Sequence, residues 1–172
     1  MTANNRLDFQ YGVSEQNLNN AYLVLYNSSA KDANSTVVKR KDIDFEFIVE
    51  SVTYVLSTSN LKEAYYLTAI LNSAAPNEMM KDFQARGLYG ARHVHKKILD
   101  IYYPRFDAGD ETHRQLAALS EKAHDKAKEY LAVNPPPEDL TPMRLGRLRI
   151  DIKRHLTDEM RAIDNLVEKI IK

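Results

Sequence analysis

Seven side chains able to hold or meet an anion crowd into one short window of this chain. Between Gln84 and Phe106 stand Arg86, Arg92, Lys96, Lys97 and Arg105, with His93 and His95 among them, against the single acid Asp100. The 172-residue chain balances 24 lysines and arginines against 24 aspartates and glutamates. Any attraction for a polyanion must therefore come from such a local excess. Gly87 and Gly90 let backbone N–H groups approach a phosphate, and Tyr89 can stack on a base or pack against sugar. Arg86 and Arg92 have the forked donors that read guanine edges in a major groove. The same window is a solvated basic loop if its cations pair with acids elsewhere. A second cluster, Lys39-Arg40-Lys41, supplies further candidates for phosphate contact.

Other chemistries find little support. The glycines are Gly12, Gly87, Gly90, Gly109 and Gly146, and no two stand as G-x-G. Neither a dinucleotide fingerprint nor a phosphate loop can be built from them. His93-x-His95 would set two imidazoles on one face of an extended segment, but no cysteine or acidic cluster completes a coordination sphere. Asp151-x-Lys153 resembles the tail of a restriction-nuclease site, yet it falls on an expected helix without a partner carboxylate. Serine, histidine and aspartate occur only scattered, with no arrangement for nucleophilic catalysis.

The basic window belongs to a longer stretch, Asn60 to Asp107, around which the chain is organised. Asn60 followed three residues later by Glu63 is a capping-box type of helix start. Ala64, Leu67, Ile70 and Leu71 give that helix an apolar face. Pro76 suits the first turn of a second helix whose buried side would be Met79, Met80 and Phe83, and Gly87 is a natural stop. Ile98 to Tyr103 then reads as a strand closing on Pro104, with one of Tyr102 and Tyr103 inward and the other outward.

The ordered series AYYLTAILNS, NE, Phe83-Gln84, R-x-x-H-x-x-K-K, Ile101-Tyr102-Tyr103-Pro104 and Phe106-Asp107 resembles the C-terminal target-recognition region of adenine-N6 DNA methyltransferases of restriction-modification systems. More distantly it is similar to the recognition domains of type I specificity subunits. The likeness covers roughly residues 45 to 120. It implies a module that binds duplex DNA, with loops near Arg86 to Lys97 facing the DNA. It also implies a piece of a larger polypeptide, in which S-adenosylmethionine and methyl transfer belong to a separate catalytic domain or subunit. Asn134-Pro135-Pro136 matches the first three residues of the methyltransferase catalytic signature, but Pro137 stands where the aromatic ring is required. Consecutive prolines between two helical patterns read as a linker. No cofactor and no catalytic activity are expected of this chain alone.

Around this stretch the patterning is mixed. Ala21 to Tyr26 is a strand candidate, Thr36 to Val38 its hairpin partner, and Val52 to Leu56 a continuation of the sheet. Ile43, Phe45, Phe47 and Val49 alternate with Asp42, Asp44, Glu46 and Ile48, which predicts a half-buried strand. Asp110 caps a helix running to about Leu131, with Leu116, Leu119, Ala123 and Ala127 inward. After the proline-rich break near 134–142, Thr141-Pro142 starts another. From Leu145 to Ile170 apolar residues recur every three or four positions, predicting one long amphipathic helix. Arg147, Arg154 and Arg161 repeat along one of its faces, with Arg154 and Asp158 placed to pair.

The expected fold is therefore α+β: a small mixed sheet with packed helices over 1–107, followed by a long helical pair over 108–172. In type I specificity subunits comparable helices dock other subunits, so a homodimer or docking scaffold without DNA contact is the competing reading. An apolar fraction of 44% suits a globular domain, and zero cysteines exclude a disulfide scaffold. No apolar run is long enough to cross a bilayer, and the first residues lack a basic-then-apolar leader, so a cytoplasmic location is expected.

Overall fold

A computed structural model describes residues 14–27, 34–49, 53–81 and 101–171, together with the backbone of 86–87 and 90–91. The expected strands at 21–26, 36–38 and 52–56 form a three-stranded antiparallel sheet. Strand β1 (Tyr22–Asn27) lies between β2 (Ser35–Lys39) and β3 (Thr53–Thr58). Val24 sits opposite both Val37 and Leu56, and Tyr26 opposite Tyr54. These residues make one apolar row across the pleat, the cross-strand arrangement that stabilises a sheet. The Tyr26 and Tyr54 rings lie 4.9 Å apart, and burial, helped by Tyr54 and Tyr103, pushes the Tyr26 hydroxyl up to about 12.

Helix α1 (Leu61–Asn72) crosses this row and is buried on both sides. Ala64 and Leu71 face Val24 and Tyr26 in the sheet. Tyr65, Tyr66, Ala69 and Ile70 face the helical layer, against Leu116, Ala117, Ile163 and Val167. That double burial explains the near-continuous apolar run AYYLTAIL, since a helix apolar all round belongs inside. Its start is capped by the Asn60 side chain, which accepts from the N–H groups of Lys62 and Glu63. Glu63 does not close a capping box onto Asn60. The Thr58 hydroxyl stands between them, accepting from Asn60 N–H at 3.0 Å and donating to the Glu63 carboxylate at 2.5 Å.

Helix α2 (Ala74–Met80) follows directly, with Met80 buried and Met79 42% exposed; Phe83 lies outside the described residues. Short strands β4 (Arg86–Gly87) and β5 (Gly90–Ala91) pair antiparallel, Arg86 opposite Ala91 and Gly87 opposite Gly90. Helix α3 (Glu111–Val133) is capped by Asp110, which accepts from Thr112 and His113 N–H. It packs along α1 and is crossed by α5 (Thr157–Ile170). Between them α4 (Pro142–His155) starts at Thr141, whose hydroxyl accepts from Arg144 N–H. Helix α1 thus joins the sheet half of the chain to the helical half.

Three expectations need correction. Residues 43–49 are not a strand: a 3-10 turn (Arg40–Asp42) is followed by irregular chain, with Phe45 72% exposed. Side chains take the place of a ladder there. The Gln16 amide pairs with both N–H and C=O of Val49, and Arg40 donates to Phe47 O. Residues 101–107 are not strand either, while Ile98 to Asp100 lie outside the described residues. The Tyr66 hydroxyl donates to Pro104 O at 2.8 Å and Asp107 N–H donates to His113 Nδ1 at 3.0 Å, tying this segment to helices. Tyr103 packs inward and Tyr102 is 67% exposed, as alternation requires. Finally, the C-terminal helix is two helices that break at Leu156. The Thr157 hydroxyl donates to Arg154 O at 2.7 Å, capping one end. Lys153, Arg154 and His155 end α4 and Asp158 and Glu159 begin α5, charges that suit a helix end and a helix start.

Candidate nucleic-acid interface

The two basic clusters reach the structure differently. Lys39 ends β2, and its ammonium lies 5.5 Å from the centre of the Tyr65 ring. A hydrogen bond with Tyr65 raises the Lys39 pKa, while burial raises that of Tyr65 despite the nearby cation. The pair is therefore ammonium with neutral phenol at neutral pH. Arg40, one residue on, turns onto backbone: Nε donates to Asn20 O at 3.0 Å, Nη1 to Phe47 O at 2.7 Å and Nη2 to Asn17 O at 3.5 Å. These bonds brace Arg40 between two loops. Lys41 stands exposed on the 3-10 turn.

Arg86 lies in the β4–β5 hairpin, next to the glycine pair that brings the two backbones together. Tyr89, Arg92, His93, His95, Lys96 and Lys97 lie outside the described residues. Arg105, at the far end of the window, is exposed.

Beside Lys39, a histidine absent from the sequence reading helps to hold β2. His124 of α3 meets the Tyr65 ring edge-on at 5.2 Å. Its Nε2 accepts from Val37 N–H at 3.2 Å and its Nδ1 lies 2.7 Å from Ser120 O, to which it donates. Asn72, at the end of α1, pairs with both N–H and C=O of Ser35 at 2.7 and 2.9 Å. Ser35 and Val37 alternate along the outer edge of β2, so two side chains occupy groups that another strand would otherwise seek. The only signal in the sequence was position: Leu116, Ser120, Ala123, His124 and Ala127 share the inward side of α3. Glu159 was missed for a similar reason. It is 4% exposed and bridges Lys122 at 3.1 Å and Lys126 at 2.8 Å, joining α5 to α3.

Asn134 ends α3 by bonding Tyr130 O through both its backbone and its amide, and Pro135 to Leu140 form an exposed linker. A cleft of about 190 Å³ lies between β2, α1, α3 and α5, lined largely by Ala69, Ala123, Ala127, Met160 and Ile163. Its polar lining consists of Ser35, Thr36, Asn72, Ser120 and His124. Among the described residues no three histidines, cysteines or acids gather as a metal site, and no helix is long and apolar enough to cross a membrane. The chain matches no protein-family model, no curated protein and no solved structure.

Proposed function

We propose that this chain is the DNA sequence-recognition module of an adenine-N6 methyltransferase of a restriction-modification system. The reading is carried by the ordered series from AYYLTAILNS through R-x-x-H-x-x-K-K to Ile101-Tyr102-Tyr103-Pro104. Two features of the fold support it. The first part of that series is the doubly buried helix α1, a rigid support. Beyond it and α2, the β4–β5 hairpin carries Arg86 in register with two paired glycines. A short hairpin bearing an arginine is a suitable device for reaching into a groove, with phosphate contacts fixing position and arginine forks reading bases. Lys39 and Lys41 add positive charge at the end of β2.

Its role would be to grip duplex DNA and bias which sequence reaches a methyl-transfer site supplied by a catalytic domain or subunit. Base flipping and S-adenosylmethionine binding would reside there. The test is fluorescence anisotropy with a labelled mixed-sequence duplex at 50 and 200 mM salt. Binding should weaken about a hundredfold or more across that range if five or so phosphates are contacted. Arg86→Ala and Arg92→Ala should each weaken it further. Calorimetry with S-adenosylmethionine should give no binding heat. No duplex binding at 50 mM salt, together with a stable dimer in sedimentation, would replace this reading with a helical docking scaffold.

A further inference from the structure

Residues 101–107, which close the basic window, have no regular secondary structure, yet they are pinned to the core at several points. Ile101 packs toward the sheet, while Tyr103 and Phe106 pack where α1, α3 and α5 meet. Two buried side chains then fix the backbone. The Tyr66 hydroxyl of α1 donates to Pro104 O at 2.8 Å, and Nδ1 of His113 on α3 accepts from Asp107 N–H at 3.0 Å. The Tyr66 and His113 rings lie 4.7 Å apart, with Phe106 5.6 Å from Tyr66, so both clamps belong to one aromatic cluster.

This pinning decides which side chains face outward. Tyr102, beside inward Tyr103, is 67% exposed, and Arg105, beside inward Phe106, is exposed as well. Arg105 meets no carboxylate among the described residues. The nearby acids are engaged: Asp107 accepts from Gly109 N–H at 2.7 Å and Asp110 caps α3. Tyr102 and Arg105 stand at most about 11 Å apart along the chain. A guanidinium and a phenol hydroxyl are both donors to phosphate and sugar oxygens. Their backbone is already held, so less freedom is lost when they bind. Tyrosine and arginine also serve protein interfaces. Here, however, they end a window of five lysines and arginines with a single acid, a balance that favours a polyanion.

We propose that Tyr102 and Arg105 contact neighbouring phosphates of the duplex, on the backbone that Tyr66 and His113 hold in place. The proposal rests on the DNA-binding reading above and adds two contact residues on a segment fixed to the core, apart from the hairpin. It is tested by the slope of log affinity against log salt for the full chain, Arg105→Gln, Arg105→Lys and Tyr102→Phe. Arg105→Gln should make the slope shallower by about 0.9, the loss of one neutralised phosphate, and Arg105→Lys should keep it. Tyr102→Phe should keep the slope and weaken binding about two- to tenfold. Circular dichroism should show equal helix content in all four proteins. An unchanged slope in Arg105→Gln, or undiminished affinity in Tyr102→Phe, overturns the proposal, and the hairpin reading stands if Arg86→Ala still weakens binding. An unchanged slope with loss of self-association in Arg105→Gln also overturns it, in favour of a protein contact. Absence of duplex binding by the unmodified chain overturns both readings together.

Discussion

Val37 and His124, 87 positions apart in the chain, are joined by one hydrogen bond from the valine N–H to Nε2 at 3.2 Å. The bond requires a neutral imidazole, because Nδ1 holds the proton directed at Ser120 O and a proton on Nε2 would face another donor. Burial lowers the His124 pKa, aided by Lys128 and Lys39 and opposed by Ser120 O and Asp125.

A pH dependence follows. The folded-state pKa of His124 lies below its ordinary 6.5, so the unfolded chain takes up the proton first as pH falls. The contribution is complete above 6.5 and disappears as pH drops through the lower folded value. The melting temperature should therefore fall between pH 7.5 and 5.5, and His124→Gln should show a flatter dependence. Parallel curves for the two proteins would contradict the role given to His124.

Glu159 makes a second prediction at lower pH. The Lys126 bond, then that of Lys122, holds its carboxyl down at about 2 against an ordinary 4.5. The clamp between α3 and α5 is present above 4.5 and is lost as pH falls toward 2. Glu159→Gln should cost about 1–3 kcal/mol near neutral pH. Urea unfolding should show that difference from wild type shrinking as the acid is protonated; a constant difference would speak against it.

Core and surface apolar residues of the helical half should respond very differently. Leu116 is fully buried against α1 and α5, whereas Ile150 is 52% exposed. Leu116→Ala should destabilise by about 2–5 kcal/mol, and Ile150→Ala by no more than about 0.5 kcal/mol. Chemical denaturation of both variants checks the packing order of the three helices.

Neighbouring cations should also separate. Arg40 braces Asn17, Asn20 and Phe47 through their carbonyls, so Arg40→Gln should lower stability by about 1–3 kcal/mol. Exposed Lys41→Gln should leave stability within about 0.5 kcal/mol and weaken the proposed DNA binding instead. The reverse pattern in thermal melts and anisotropy would exchange their roles.

The features legible in the sequence were those fixed by neighbours along the chain. Asn60, Asp110 and Thr141 each cap a helix where local rules put them, because a cap involves only the next three residues. The β1–β2 hairpin and β3 followed from strand composition. Residues 43–49 misled because period two describes a strand only if an edge is available, and here Gln16 and Arg40 take that position from a distance. The break at Leu156 was in fact written locally, in three basic residues followed by Thr157 and two acids, but apolar periodicity runs straight through it. For the candidate interface, Lys39, Arg40 and Lys41 were found by charge alone. Charge could not distinguish an arginine facing backbone carbonyls from a lysine facing water.

Sequence recognition is the central claim, and a randomised duplex pool tests it most directly. Duplexes retained by the chain at moderate salt would be sequenced and compared with the starting pool. The account predicts enrichment of one short sequence, diminished by Arg86→Ala. Retention with no enriched sequence, or no retention at all, would contradict it.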